Sequence, residues 1–141
     1  MRPTINEYFK KLMLDVSERA TCNKKKVGCI IAKDNRILTT GYNGSPSRMP
    51  HCEDVGCLLD DNSKCIRCIH AEQNAICQAA KYGININESD LYCTIMPCYT
   101  CAKLIVQCGI RNIYILKDDK KDPLIKNLFF MSGINVNIYD Y

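Results

Sequence analysis

The sequence predicts an α/β protein, a three-layer α/β/α sandwich built around a mixed five-stranded sheet. Hydrophobic residues make up 47% of the 141 residues, enough to bury one substantial core. Short apolar runs alternate with helical patterns in the second half, which is typical of parallel strands joined by right-handed crossovers. Two strand patterns near the N-terminus are separated only by turn residues, which predicts an antiparallel hairpin. We expect one domain over residues 1–141.

The first element is a helix over residues 4–20. Thr4 and Glu7 match a capping box, in which each side chain accepts a hydrogen bond from the other residue's backbone N–H. Apolar residues recur at helical spacing along one face, which we expect to pack on the sheet. They are Tyr8, Phe9, Leu12, Met13 and Val16.

The remaining elements are bounded by turn residues. Asp34 and Asn35 separate the two hairpin strands, and a glycine follows each later helical pattern where a helix ends. The expected strands are 27–32, 36–42, 91–96, 112–116 and 134–138, and the expected helices are 70–82, 98–108 and 123–131. The loop over residues 43–67 shows little periodicity. A loop of that length inside a compact domain is uncommon unless it is functional or tethered.

Composition excludes several classes of protein. Eleven cysteines would suggest disulfides in a secreted chain, but the N-terminus has no apolar signal-peptide core. No apolar run approaches the roughly 18 residues of a membrane span. We therefore expect a cytoplasmic protein (host cytoplasm if viral) without a membrane partner, whose cysteines bind metal or act in catalysis. The net charge of +4 suits a small anionic substrate and does not require nucleic acid.

Two short motifs predict a catalytic zinc. His70, Cys98 and Cys101 supply three ligands of the kinds that zinc prefers, and catalytic sites keep the fourth position open. Both motifs open predicted helices, where free N–H groups and the helix dipole favour thiolate. Glu72 is then free to move protons near the metal. A lone Cys-x-x-Cys also fits a redox pair, but His-x-Glu followed by Pro-Cys-x-x-Cys resembles the signature of zinc deaminases of cytosine or adenine.

The whole chain resembles the deoxycytidylate (dCMP) deaminase family, whose fold is cytidine-deaminase-like. The matching segments are 21–22, 27–31, 41–46, 51–52, 70–76, 91–94 and 97–103. The specific part is the Gly-Tyr-Asn-Gly segment at 41–44 together with Asn74. The resemblance implies hydrolysis of dCMP to dUMP and ammonia for thymidylate synthesis, with Glu72 as the catalytic residue. It also implies a homo-oligomer, commonly a hexamer, with dCTP and dTTP as effectors.

The resemblance further implies contacts to a small nucleotide substrate. The substrate-binding residues it indicates are Asn43, Ala71 and Asn74. Candidates for a phosphate or effector site are Gly41, Tyr42, Gly44, Ser45 and Arg48, and the lysines of the run 24–26 and Ser47 are further phosphate candidates. The residues themselves do not select one of these candidates.

A second, structural zinc is expected in the cysteine-rich loop at about 43–68. Six residues compete for four places, namely the four cysteines of this loop, the adjacent His51 and Cys22. Two sets stay open, namely Cys22, Cys52, Cys65 and Cys68, or the set in which Cys57 replaces Cys22. Free thiols are the alternative. The other cysteines, apart from the catalytic pair, are expected as small core residues, and they are Cys29, Cys77, Cys93 and Cys108.

Three alternative functions remain. The first is a dual dCMP/dCTP deaminase, because pocket depth beyond the first phosphate is not encoded in the motifs. The second is another zinc deaminase acting on a nucleoside or on tRNA, although a tRNA enzyme should carry a larger basic face. The third is a zinc-ribbon nucleic-acid-binding module, which would leave Glu72 and the open metal position without a role.

Overall fold

The computed structural model describes residues 1–139, so the last two residues of the expected 1–141 domain lie outside the described part. The helices are α1 Ile5–Ser17, α2 Cys52–Val55, α3 Ala71–Tyr82, α4 Tyr99–Gln107 and α5 Pro123–Met131. The strands are β1 Gly28–Lys33, β2 Arg36–Tyr42, β3 Asp90–Ile95, β4 Asn112–Lys117 and β5 Asn135–Ile138. The predicted order of elements is confirmed, with α2 added as a single helical turn inside the long loop.

The strands form one mixed sheet in the order β2-β1-β3-β4-β5. β1 pairs antiparallel with β2 and with β3, whereas β3–β4 and β4–β5 are parallel. The hairpin turn places Asp34 and Asn35 at φ values of 52° and 63°, the left-handed conformation that a tight two-residue hairpin turn requires. The predicted antiparallel hairpin and parallel second half are therefore both confirmed.

This topology brings several chain segments to one edge of the sheet. β2, β3 and β4 end at the edge where β1 begins, because β1 runs antiparallel to its neighbours. α4 follows the end of β3 directly, and Asn74 of α3 bonds Tyr42 at the end of β2, so both helices begin at that edge. The N-termini of two helices and the loops that follow three strands therefore surround one space.

The sheet separates two hydrophobic clusters, which makes the fold the predicted three-layer sandwich. Alternate residues of β1 point to opposite faces, as strand geometry requires. Cys29 and Ile31 join the larger cluster with α3, α4 and α5, whereas Ile30 and Ala32 join the smaller cluster with α1. The helices are thus divided unequally between the two faces.

The first helix departs from its prediction in two respects. It ends at Ser17 rather than at residue 20, since the N–H groups of Arg19 and Ala20 bond carbonyls three residues back and tighten the chain into a turn. The buried stripe is centred on Phe9 and Met13, while Tyr8 is 44% exposed. The capping box of Thr4 with Glu7 is confirmed.

The cysteines expected in the core differ in burial. Cys77 is exposed, so its assignment to the core was wrong, because it lies on the side of α3 away from the buried Ala71, Ala75 and Ala79. Cys29 and Cys93 are buried as expected.

Among the described residues, no helix combines the length and the apolar character that a membrane crossing requires.

Candidate active site

The site begins where α3 is fixed against the sheet. A Cβ atom at Gly41 would clash with the backbone of Ala71 and Ala75, so glycine is required for α3 to approach β2 this closely. Asn74 donates a hydrogen bond from Nδ2 to the Tyr42 carbonyl at 3.0 Å. The first turn of α3 is therefore held in place by backbone contact and by one partly buried amide.

Two helix starts carry the predicted metal ligands. His70 is the N-cap of α3 and Cys98 is the N-cap of α4, both with extended backbone. His70 Nδ1 lies 3.1 Å from Cys101 Sγ and 3.5 Å from Cys98 Sγ, and one ligand atom from each residue lies within 4.8 Å of the others. The hydrogen bond from the Cys101 thiol, together with His70, lowers the pKa of Cys98 to about 3.

This donor set fits zinc. One imidazole nitrogen and two sulfurs converge on a common point, which is the ligand chemistry of catalytic zinc sites with an open fourth position. The lowered pKa of Cys98 favours the thiolate, the form that binds metal. Both helix N-termini point their free N–H groups towards this end of the sheet, which further favours negative charge on the sulfurs.

Glu72 lies in the first turn of α3 and lines the same cavity, with only 3% of its surface exposed. It does not belong to either described group of clustered metal ligands. Its Oε1 accepts a hydrogen bond from the Cys93 thiol at a sulfur–oxygen distance of 3.0 Å. A carboxylate in a cavity beside a candidate metal centre, and not itself one of the clustered ligands, is placed to transfer protons.

The cavity has a volume of about 370 Å³ and opens to solvent. Its lining consists of a helix wall, a loop wall and five further residues. The helix wall consists of His70, Ala71, Glu72 and Cys98. The loop wall consists of Cys22, Lys24, Lys25, Ser63, Lys64, Cys65, Cys68 and Lys120. Val27, Asn43, Ile69, Ile95 and Met96 complete the lining.

Asp119 organises two lysines of the loop wall. It contacts Lys25 at 2.7 Å and Lys120 at 3.2 Å, and Lys120 also donates to the Met96 carbonyl at 2.5 Å. Burial raises the pKa of Asp119, but the hydrogen bonds from Lys25 and Lys120 outweigh it and lower the pKa overall. Two ammonium groups from distant parts of the chain are thereby held beside the cavity.

Asn43 lines the cavity, but its amide is engaged with backbone. Its Oδ1 accepts from the Val27 N–H at 2.7 Å, and its Nδ2 donates to the Lys25 carbonyl at 2.6 Å. Ala71, at the start of α3, also lines the cavity. The Asn74 amide is engaged in its hydrogen bond to the Tyr42 carbonyl at the end of β2. In this structure Asn43 therefore fixes the segment that carries Lys25.

The other phosphate or effector candidates lie away from the cavity lining formed by residues 1–139. Gly44 pairs with Ile69 as an isolated bridge, and Ser45 donates to the Pro50 carbonyl at 2.7 Å. Arg48 adopts a left-handed φ of 71° in the exposed loop. Gly41 and Tyr42 serve the contact between α3 and β2 described above. These residues shape the scaffold of the site, whereas Lys24, Lys25, Lys64 and Lys120 line the cavity.

A second cluster contains four cysteines. One sulfur from each of Cys22, Cys52, Cys65 and Cys68 lies within 4.8 Å of the others, and Cys57 does not join this group within the described chain. Burial raises the pKa of Cys65, but backbone N–H groups of the following residues lower it to about 6 overall. Burial raises the pKa of Cys52 to about 12. Of the two predicted ligand sets, the geometry favours the one that contains Cys22.

Sequence reasoning missed Lys64, Lys120 and Asp119, and it treated Cys93 only as a core residue. Lys120 and Asp119 follow β4, and ligands of sheets with parallel strands bind beyond the carboxyl ends of those strands. That rule could have indicated the segment after β4. Lys64 carried no comparable signal, because its position depends on how the cysteine-rich loop folds back.

Comparison with known proteins identifies the family. The sequence profile of the cytidine and deoxycytidylate deaminase zinc-binding region matches residues 3–117. ComE operon protein 2 of Bacillus subtilis is 40% identical over 93% of this chain and 69% of its own length. Deoxycytidylate deaminase of Saccharomyces cerevisiae is 34% identical over 100% of this chain, which spans 46% of the yeast protein.

A solved structure extends the comparison. The crystal structure of dCMP deaminase from cyanophage S-TIM5, in complex with dCMP and dUMP, superposes with a TM-score of 0.85 at 34% identity. The match covers 98% of both chains. Profile, sequence and structure agree over most of the chain, and this chain therefore belongs to the cytidine and deoxycytidylate deaminase family.

Proposed function

We propose that this protein hydrolyses dCMP to dUMP and ammonia, with zinc as its cofactor. The observation that carries the proposal is a single cavity onto which a three-ligand metal centre, a buried carboxylate and four lysines converge. The similarity to named deoxycytidylate deaminases, and to a cyanophage enzyme crystallised with dCMP and dUMP, supports the same substrate.

The proposed zinc ligands are His70, Cys98 and Cys101. When bound, zinc supplies the Lewis acidity that turns water into a nucleophile near neutral pH. The two helix N-termini stabilise the ligand thiolates, and the buried position of Cys101 keeps competing water away from the sulfur. His70 is exposed and lines the cavity, so substrate would approach the zinc ligands through the cavity.

Glu72 moves the protons in this scheme. Its carboxylate accepts the first proton of the attacking water and delivers it to N3 of cytosine. It then accepts the second proton, from the hydroxyl now on C4, and delivers it to the departing amino group. A bond forms between C4 and the water oxygen, the bond between C4 and the exocyclic nitrogen breaks, and ammonia leaves. Nearly complete burial of Glu72 limits proton exchange with bulk water during these steps.

The 5′-phosphate is assigned to the lysines of the loop wall. Lys25 and Lys120 are held side by side by Asp119, and Lys24 is anchored by a hydrogen bond from Nζ to the Ser63 carbonyl at 2.9 Å. A phosphate entering the mouth of the cavity would find ammonium groups already positioned, which reduces the entropy lost on binding. This arrangement favours a nucleotide over a nucleoside.

A second candidate activity is deamination of dCTP beside dCMP. Lys64 adds a fourth ammonium group to the loop wall, beyond the three invoked for a single phosphate. A longer phosphate chain would use this additional charge. The cavity also opens to solvent, so a triphosphate would not have to be enclosed.

A structural zinc held by Cys22, Cys52, Cys65 and Cys68 is part of the proposal. The group joins the turn after α1, the start of α2 and the segment before α3. Cys52 Sγ lies 3.5 Å from Cys65 Sγ and 3.4 Å from Cys68 Sγ, so a cation would replace the contacts between thiols. Its role is to hold the loop wall against the helix wall. Two zinc ions per purified chain support it, and one contradicts it.

Assembly and regulation follow from family resemblance alone. We expect a homo-hexamer in the cytoplasm that is activated by dCTP and inhibited by dTTP and supplies dUMP for thymidylate synthesis. Light scattering of the purified protein tests the assembly, and initial rates with each triphosphate test the regulation. A monomer whose rate ignores both triphosphates would contradict this part without affecting the chemistry.

The decisive experiment for the activity measures ammonia release from dCMP, dCTP, cytidine, deoxycytidine and a tRNA. We expect turnover of dCMP and at least a tenfold smaller kcat/KM for deoxycytidine, about the contribution of one charge-assisted contact to phosphate. Comparable turnover of dCTP would establish the dual activity. Equal rates for dCMP and deoxycytidine, or turnover of tRNA alone, would overturn the nucleotide proposal.

A further inference from the structure

The central strand of the sheet presents a thiol to the proton-transfer carboxylate. Cys93 lies in β3 and is fully buried, with 0% of its surface exposed. It belongs to the larger hydrophobic cluster. Its sulfur nevertheless lies 3.0 Å from Glu72 Oε1, with the thiol as donor.

Glu72 requires such a partner because it is itself 3% exposed. A buried carboxylate oxygen without a hydrogen bond is costly, by about 1–3 kcal/mol or more for a charged group. The surroundings on the sheet side are apolar residues of the cluster that contains Ala71 and Cys93. Cys93 supplies a donor to this carboxylate from β3, on the side of the sheet, and the Cys101 thiol is a second hydrogen-bond partner of Glu72.

The thiol is suited to remain a donor. Burial, with contributions from Cys29 and Glu72, holds the pKa of Cys93 well above its usual range, so the sulfur keeps its proton. Cys29 lies directly opposite Cys93 in the antiparallel pairing of β1 with β3. The sulfur is thus fixed by the most buried pair of strands in the sheet rather than by a loop.

We infer that Cys93 is a positioning residue for the deamination reaction, which holds one oxygen of the Glu72 carboxylate against the sheet. The other oxygen is then the one that exchanges protons with water and the pyrimidine. The inference rests on the proposed function and concerns the rate of the chemical step rather than binding. Cys93 touches neither the substrate nor the proposed metal ligands, and it acts through Glu72.

The test compares Cys93→Ala, Cys93→Ser and Cys29→Ala. Cys93→Ala should lower kcat for dCMP about tenfold with KM unchanged, the loss expected for one hydrogen bond to a charged group. Cys93→Ser restores a donor and should return kcat to within about threefold of the original. Cys29→Ala removes the same atoms from the paired strand, leaves the donor to Glu72 and should keep kcat.

The same variants show how the inference fails. Equal kcat for Cys93→Ala and the original protein, equal losses in Cys93→Ala and Cys29→Ala, or no rescue by Cys93→Ser would each overturn it. Zinc content and thermal midpoint are measured for every variant, so that loss of metal or of folding is separated from loss of positioning. These comparisons are made on whichever substrate the unaltered protein deaminates.

A second readout does not depend on activity. The S–H stretching band of Cys93, assigned by its disappearance in Cys93→Ser, should be shifted to low wavenumber by the hydrogen bond. Glu72→Ala removes the acceptor and should move that band to higher wavenumber. A band that does not move contradicts the contact. Failure to deaminate dCMP would instead overturn the proposed function, and the band would still test the role of Cys93.

Discussion

The helix wall and the loop wall of the cavity are built in different ways. The helix wall stands on the first turns of α3 and α4, which the sheet fixes through close packing at Gly41 and the hydrogen bond of Asn74. The loop wall consists of segments after α1, between α2 and α3, and after β4. Its contacts are a thiol cluster and the Asp119 ion pairs.

This difference separates chemistry from recognition. Proton transfer and metal binding require fixed geometry, which helices anchored on a sheet supply. Recognition of a charged group at the cavity mouth tolerates longer, more adaptable side chains such as lysine. Substitutions in the helix wall should therefore act on kcat, and those in the loop wall on KM or on stability.

The largest effect is expected from Glu72→Ala in the helix wall. Removal of the proton-transfer group should lower kcat by about 10²–10⁴-fold. Zinc content should be unchanged, because Glu72 is outside the ligand group. Steady-state kinetics and metal analysis of the same preparation measure both quantities. Retained turnover would show that another group moves the protons.

In the loop wall, Cys68→Ser should destabilise the fold. Loss of one ligand should release one zinc and lower the free energy of unfolding by more than about 4 kcal/mol, the scale of a lost structural metal. Cys57→Ser is the matched control, since that neighbouring thiol lies outside the four-cysteine group. Zinc content and urea unfolding compare the two variants. Similar behaviour of both would contradict the assigned ligand set.

A medium effect is expected from Lys25→Ala and Lys120→Ala. Each should raise KM for dCMP about tenfold and leave kcat/KM for deoxycytidine unchanged, because a charge-assisted contact to phosphate is lost. Lys26→Ala is the control, as this lysine neighbours Lys25 but does not belong to the described cavity lining. Equal losses on both substrates would remove these lysines from the phosphate site.

The smallest effect is expected from Asp119→Asn. The ion pairs of Asp119 lie partly in solvent, so the free energy of unfolding at pH 7 should fall by less than about 1 kcal/mol. The pKa of Asp119 is lowered by folding, so this stabilisation is present above the ordinary value of about 4 and disappears as the pH falls through the lowered pKa. Urea unfolding across that pH range measures the difference. If the difference in the free energy of unfolding between Asp119→Asn and the original protein increased as the pH fell, the lowered pKa of Asp119 would be contradicted.

Much of this protein follows from local patterns in the chain. The strands and helices are bounded by turn residues and caps whose preferences are local, so Thr4, Asp34 and Asn35 act as the sequence predicts. His70 and Cys98 lie at the N-caps of α3 and α4. Zinc accepts few ligand types, so the spacing of His70, Cys98 and Cys101 indicates a metal site directly.

Other features depend on contacts between residues far apart in sequence. They include the clustering of Cys22 with the loop cysteines, the ion pair of Lys25 with Asp119 and the hydrogen bond of Cys93 with Glu72. No local sequence pattern relates the residues of these contacts. They arise because the mixed sheet brings one strand start, three strand ends and two helix starts to a common edge. The sequence alone predicted the elements and the cluster of His70, Cys98 and Cys101. Tertiary structure decided what surrounds them, because burial and contacts between distant residues exist only in the folded chain.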